Sequence, residues 1–177
     1  MGILLYGFGP YRQFQDNITA RIIRSVPRQA GLKKIIFAVR FQRRQFIDAL
    51  NRYQPDVILG LGQSSRKRIE VETRARNRRR ARQLDRPRPI FKGKPKSLPT
   101  TLAIRAGRGA GLSKDAGDYV CNYSMFVLLD EIDRRRMKTR LGFIHIPHHY
   151  ERRKASRFVE RILRRFAPLR LKQRQPS

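Results

Sequence analysis

A lone cysteine, Cys121, stands in the run Ala116-Gly117-Asp118-Tyr119-Val120-Cys121-Asn122-Tyr123, and His145 follows in Phe143-Ile144-His145-Ile146-Pro147. A thiol becomes a useful nucleophile near neutral pH only where a base or a positive field converts it to thiolate. Asp115 and Asp118 are cap-type residues ahead of a stretch from Tyr119 to Ile132 that is largely apolar and has no interior glycine or proline. That pattern predicts a helix, ended by Asp133 and the basic run Arg134-Arg135-Arg136. Cys121 falls in its first turn, where the positive end of the helix dipole favours a thiolate. His145 lies in a short apolar run closed by Pro147, which reads as a buried strand whose end delivers the imidazole to a sheet edge. A helix start and a strand end thus carry a candidate Cys121–His145 dyad. His145, His148 and His149 lack a partner pair at metal-ligand spacing, and the Gly-x-Gly pieces at Gly7 and Gly60 lack the third glycine of a dinucleotide site. No metal and no cofactor is therefore expected.

The elements that must position this dyad follow from periodicity. Ile3 to Tyr6, Ile35 to Val39 and Val57 to Leu61 read as strands, and Asn17 to Val26 and Arg43 to Tyr53 read as amphipathic helices between them. Arg66 to Thr73 alternates as a further strand, with Ile69 and Val71 on one side and Glu70 and Glu72 on the other. A last helix spans roughly Glu151 to Phe166 and carries Phe158, Val159, Ile162 and Leu163 on one face. The alternation predicts an α/β fold: a three-layer open sandwich, with a mostly parallel twisted sheet and helices on both faces. Ligands of such sheets bind at the carboxyl ends of the strands. The chain, 177 residues long, is expected to form one domain, 1–177. Within it, a basic, mobile insert is expected at about 74–111, where prolines, glycines and cations replace the apolar signal, and a basic tail at about 167–177.

Charge is the unusual quantity: 42 Lys and Arg against 13 Asp and Glu, a formal net charge of +29. Such a chain attracts polyanions. The cations cluster in Arg74 to Arg88, Arg134 to Arg140 and Arg152 to Arg174, with no tryptophan among them, so a base-stacking platform is not signalled. Nonspecific nucleic acid is the partner this surface suggests. One cysteine excludes an internal disulfide, and no apolar stretch approaches the length of a membrane span, so a cytoplasmic protein that keeps off the membrane is expected.

The motifs together resemble the pyroglutamyl-peptidase I (pyrrolidone-carboxylate peptidase) family of cysteine peptidases. Gly7-Phe8-Gly9-Pro10-Tyr11 is similar to that family's Gly-Phe-x-Pro-Phe opening, and Asn17 falls where its Asn-Pro-Ser begins. Pro55-Asp56-Val57-Ile58 leads into Gly62-Gln63 as in the family, and Arg66, Glu72, Ala75 and Asn77, then Ala81-Arg82 and Asp85, follow a like series. Ala116-Gly117 with Val120-Cys121-Asn122 resembles the Ala-Gly-Thr-Phe-Val-Cys-Asn signature, and Phe143-Ile144-His145-Ile146-Pro147 the Phe-Ile-His-Val-Pro segment.

The resemblance implies a peptidase that removes an amino-terminal pyroglutamate through a triad of cysteine, histidine and glutamate. Cys121 would be the nucleophile, His145 the general base and then acid, and Glu72 the carboxylate orienting the imidazole. Periodicity alone leaves Glu70 and Glu72 equivalent; the family register selects Glu72. The Cys121 amide would serve the oxyanion, with Arg82 assisting. Phe8, Tyr11, Tyr119 and Val120 would clamp the flat lactam, and backbone around Gln63 would read its polar edge. The substrate would be a peptide with amino-terminal pyroglutamate, and a homo-oligomer is compatible with the likeness. The departures are specific: Arg12-Gln13 and Ser64-Ser65 stand where the family has glycines, Ala38 replaces a proline, Thr73 an arginine and Tyr119 a phenylalanine. The segment from Asp85 to Ser113 is shorter than in the family. These changes, with the charge, admit a second reading: a catalytically impaired relative whose basic surface binds nucleic acid or another polyanion.

Overall fold

Ile3–Phe8 contains no charged side chain, and all six of its residues are buried, as a strand covered on both faces requires. In the computed structural model, which describes residues 1–11, 15–82 and 84–166, this segment is strand β1. Helix α1 (Ile18–Ser25), strand β2 (Leu32–Phe37), helix α2 (Arg43–Tyr53) and strand β3 (Val57–Ser64) follow. Next come four short strands, β4 (Ile69–Glu72), β5 (Arg74–Arg76), β6 (Ser97–Pro99) and β7 (Ala110–Ser113). Helix α3 (Val120–Arg134), strand β8 (Arg140–Pro147) and helix α4 (Arg152–Arg164) complete the described chain.

The main sheet has the order β2-β1-β3-β8-β4-β7. β2, β1, β3 and β8 are mutually parallel, whereas β4 runs antiparallel to β8 and parallel to β7. Strands β5 and β6 form a separate antiparallel pair. The mostly parallel α/β sandwich expected from the alternation of elements is the fold observed.

Strand parity sorts the core into two layers. Ile3, Leu5, Leu59, Leu61, Ile144 and Ile146 face α1 and α4, where Ile22, Ile23, Phe158 and Val159 meet them. Leu4, Tyr6, Ile58, Leu141 and Phe143 face α2 and α3, against Phe46, Leu50 and Phe126. Phe46, Phe126 and Phe143 are fully buried, each stabilising the fold by about 2–3 kcal/mol through area removed from water. The same parity places three polar-site positions on the α3 side: Gly62 follows Ile58 and Gly60, His145 follows Phe143, and Glu72 lies opposite in phase to Ile69 and Val71.

The departures from expectation lie at sheet edges. β2 begins at Leu32 and ends at Phe37, earlier than the apolar run suggested, because an edge strand tolerates Lys33 and Lys34. β7 is the other edge, and its Ala110-Gly111-Leu112-Ser113 sequence carries no strand signal. The 74–111 stretch, expected as a basic, mobile insert, contains β5, β6 and the start of β7, and Asn77 bridges two parts of it. The Asn77 carboxamide accepts from the Ile90 and Phe91 amides at 2.9 and 3.0 Å and donates to the Phe91 and Lys94 carbonyls at 2.8 and 3.3 Å. The expected tail at 167–177 and the Arg12-Gln13 pair lie outside the described residues. Among the described residues, no helix is long and apolar enough to cross a membrane.

Candidate active site

Register on the sheet dictates which glutamate meets the histidine. Glu70 is directly opposite His145 across the β4–β8 pair, and Glu72 is opposite Phe143. Because β4 runs antiparallel to β8, Glu72 lies deeper, diagonal to His145, and it is fully buried, whereas Glu70 keeps 16% of its side-chain surface. The Oε1 atom of Glu72 stands 2.7 Å from Nδ1 of His145. Glu70 is drawn instead to the Arg66 guanidinium, which also reaches Glu72 Oε1 at 3.3 Å and donates to Ser113 Oγ at 3.0 Å. Arg66 therefore separates the two carboxylates and supplies the counter-charge for the buried one. Glu72 Oε2 has no hydrogen-bond partner among the described residues, so its charge relies on Arg66 and His145.

The other edge of the imidazole meets the thiol. His145 is hydrogen-bonded to Cys121 as well as to Glu72. A Cβ on Gly62, the residue paired with His145 on β3, would stand 2.8 Å from Cys121 Sγ and 2.8 Å from His145 Nε2. The sulfur and Nε2 thus flank one point above the sheet, and only glycine leaves it clear. Burial by itself would lower the His145 pKa, but the hydrogen bonds to Cys121 and Glu72, with their charges, outweigh it and push the value from its ordinary 6.5 up to about 9. The arrangement holds a proton on an imidazole between a sulfur and a buried carboxylate.

Helix α3 brings the thiol to this point. Its N-cap is Tyr119, whose side chain makes no capping hydrogen bond, so Cys121 occupies the second position of a helix start with main-chain N–H groups left for another acceptor. Asp115 and Asp118, expected as caps, act otherwise. Asp115 receives the Arg78 guanidinium at 2.8 and 2.9 Å and the Gly117 amide at 3.0 Å, and Asp118 receives Arg80. Gly117 turns there at a positive φ of 80°, a conformation that suits glycine. The helix start is anchored by fully buried Asn122, which accepts from the Arg76 amide at 2.7 Å and donates to the Arg76 and Arg78 carbonyls, each at 2.8 Å. Ser124 Oγ donates to the Cys121 carbonyl at 2.8 Å and contacts Tyr6 Oη at 3.0 Å, fixing the first turn from below.

A cavity of about 270 Å³ opens beside Cys121 at the carboxyl ends of β1, β3 and β8. Five of the six expected substrate contacts, Phe8, Tyr11, Gln63, Tyr119 and Val120, line it. Tyr11 and Tyr119 stand with ring centroids 5.1 Å apart, forming an aromatic wall. Gln63 Oε1 accepts from the Ile18 amide at 3.0 Å, so this side chain ties the cavity to the start of α1. Arg82 is the exception: it is exposed, does not line the cavity, and its amide bonds Asp85 in a surface turn. Its place in a basic turn follows from the same run of cations that made it conspicuous in the sequence.

Asn17, Gly62 and Arg66 entered the sequence reasoning through the family likeness, but they, Ser64 and His148 were given no role in the site. Asn17 caps α1 and donates to the Gly9 carbonyl at 3.1 Å, holding the loop after β1. Its cap position was readable, but that bond was not. Ser64 Oγ is buried without a hydrogen-bond partner among the described residues, and Ser64 and His148 both line the cavity. Gly62 also carried a signal, as a glycine interrupting an apolar strand.

The family model described as pyroglutamyl peptidase matches residues 1–155. A pyrrolidone-carboxylate peptidase of Thermococcus onnurineus is 31% identical to this chain over 171 residues, covering 85% of this chain and 86% of the relative. One from Streptococcus pneumoniae is 29% identical over 171 residues, covering 85% and 80%. The fold is similar to that of a mutant pyrrolidone carboxyl peptidase from the hyperthermophile Pyrococcus furiosus, with a TM-score of 0.83 and 22% identity, covering 93% of this chain and 97% of the other.

Proposed function

Because this chain belongs to the pyroglutamyl peptidase family, a family of cysteine-type peptidases, we propose that Cys121, His145 and Glu72 remove the amino-terminal pyroglutamyl residue of peptides. The single observation that carries the residue roles is the relay of contacts, Glu72 Oε1 to His145 Nδ1 at 2.7 Å and the imidazole onward to Cys121.

The reaction follows from that geometry. The Cys121 sulfur, as thiolate beside the protonated imidazole, attacks the pyroglutamyl acyl carbon, and the carbonyl π pair moves onto oxygen. The resulting oxyanion meets the main-chain N–H groups of the α3 start, with the Cys121 amide foremost. Collapse breaks the carbon–nitrogen bond, the His145 Nε2 proton passes to the leaving amine, and a thioester remains. Water, deprotonated by the now neutral imidazole, attacks the thioester; pyroglutamate leaves and the thiolate–imidazolium pair is restored. Glu72 holds the ring through Nδ1 in both half-reactions, and its charge stabilises the imidazolium.

The cavity suits a small flat lactam. Phe8, Tyr11, Tyr119 and Val120 supply apolar faces, and Gln63 and Ser64 bring main-chain and hydroxyl groups for its N–H and C=O. A lone nucleophilic thiol must stay reduced, which supports a cytoplasmic setting. The test is hydrolysis of a fluorogenic pyroglutamyl amide after removal of bound polyanions by high salt. Wild-type protein turns it over, and folded Cys121→Ser loses about 1,000-fold or more, since an alcohol is far harder to deprotonate at a site arranged for a thiolate. Unchanged turnover in that variant would refute the assignment.

A further inference from the structure

A second cavity, about 540 Å³, opens between β5 and the segment from Pro89 to Ser97. Arg74, Arg76 and Arg78 line one wall. Lys92, Lys94 and Lys96 line the other, and Lys114 joins them from beyond β7. Among the described residues, two carboxylates answer these seven cations: Asp115 serves both Arg76 and Arg78, and Asp130 pairs with Lys94 at 2.8 Å. Arg74, Lys92, Lys96 and Lys114 have no ion-pair partner among the described residues.

This concentration of charge is built rather than a chance result of flexible side chains on a basic surface. Asn77 pins Ile90, Phe91 and Lys94 through four hydrogen bonds, and its own amide donates to the Lys96 carbonyl at 2.9 Å. Gly93, at a φ of 72°, turns the chain so that Lys92 and Lys94 flank the same opening. Asp115 holds two guanidiniums side by side while neutralising only one of their charges. Like charges held together repel, and an anion carrying several charges at matching spacing relieves that repulsion more fully than separate small counterions do.

We propose that this cleft binds the phosphodiester backbone of a nucleic-acid strand. Arginine forks match phosphate oxygens in pairs, and lysines serve as point charges for the next phosphates along the strand. Phe91 lines the same cleft and offers an apolar surface beside the backbone path. Recognition of phosphate alone gives no sequence preference. The cleft lies on the α3 side, and none of its lining residues lines the catalytic cavity, so the two sites are distinct.

The experiment separates this site from bulk charge. Fluorescence anisotropy with a labelled, mixed-sequence single-stranded oligonucleotide of about 12 nucleotides is read across a salt series. Lys92→Gln, Lys96→Gln and Lys114→Gln are combined in one variant. A second variant combines Arg24→Gln, Arg153→Gln and Arg157→Gln, exposed on α1 and α4 across the sheet. Both retain wild-type hydrolysis of the pyroglutamyl amide, which reports folding. The cleft variant is expected to bind about 10-fold more weakly and to lower the slope of log affinity against log salt by about 2, whereas the control changes affinity less than about twofold. Equal weakening in both variants would reduce the effect to net charge and overturn the proposal. Displacement of the oligonucleotide by polyglutamate of equal charge, at equal concentration, would overturn it in favour of an acidic protein partner.

Discussion

The two cavities of this chain handle charge in opposite ways. In the catalytic cavity each ionisable group has an assigned partner: Glu72 is fully buried against His145 and Arg66, and His145 is held between carboxylate and thiol. In the basic cleft, cations outnumber carboxylates and stay in contact with solvent. Burial explains the contrast. An ion removed from water must be matched or it neutralises, so the buried site admits only paired charges and gains directionality. An exposed cleft accumulates unmatched charge at modest cost and gains attraction for a partner that brings the missing anions. Disturbing the first therefore changes chemistry, and disturbing the second changes association.

The sharpest way to break this contrast is to remove the buried charge and keep its shape. Glu72→Gln should lower kcat/KM by about 100-fold, because the imidazolium loses its stabilising carboxylate while the thiol and ring can still meet. It should also move the alkaline limb of the pH–rate profile. His145 holds its proton to about 9, and without the Glu72 charge burial pulls that value down, so activity fades at lower pH. The folded pKa lies above the unfolded 6.5, so the stabilisation from this proton is full below pH 6.5 and is lost as pH rises through about 9. Glu72→Gln should reduce that alkaline loss of stability, read as Tm against pH, while the Cys121 contribution to the raised value remains. An unmoved alkaline limb would mean that another group controls it.

A smaller effect on the same cavity comes from filling the gap between sulfur and imidazole. Gly62→Ala adds one methyl that would stand 2.7 Å from His145 Cδ2 and 2.8 Å from both Cys121 Sγ and His145 Nε2. Gly62 has no positive φ, so the backbone accepts alanine and the cost falls on the contact. The pair must part by several tenths of an ångström, and kcat should fall about 10-fold with oligonucleotide binding unchanged. Wild-type kcat in this variant would show that the thiol and ring do not meet over Gly62.

What the sequence discloses follows the same division. Long periodic segments were readable: α2 and the strands through Ile3, Val57 and Phe143 sit where apolar spacing put them, since buried elements must write their burial into the chain. Cys121 and His145 were legible because a helix start and a strand end are local signals. The pairing of Glu72 rather than Glu70 was not visible in periodicity, because both share a face and only the antiparallel direction of β4 decides their depth. Edges were hidden as well. β5, β6 and β7 are short, polar or glycine-containing, and their strands are stabilised by neighbours distant in sequence, whereas β2 was visible and only its bounds were displaced. Asp115 and Asp118 looked like helix caps because the sequence could not reveal that Arg78 and Arg80 return to meet them.

The mildest perturbation tests whether the basic cleft owes its affinity to form as well as charge. Asn77→Ala changes no charge, yet it removes four side-chain hydrogen bonds that hold the 90–94 turn against β5. Some of those amides and carbonyls lie at the surface, where water replaces the lost partner, so the cost in stability should be about 2 kcal/mol rather than the sum of four buried bonds. If the lysines need only be present, oligonucleotide affinity will stay at the wild-type value, because all seven cations remain. If their spacing matters, affinity should fall about threefold while the salt slope is unchanged, since the same number of counterions is released from a less ordered site. Pyroglutamyl amide turnover, which we assign to Glu72, His145 and Cys121, should remain near wild type. A simultaneous loss of turnover and binding would show that the turn supports the α3 start as well, and the two cavities would then be one mechanical unit.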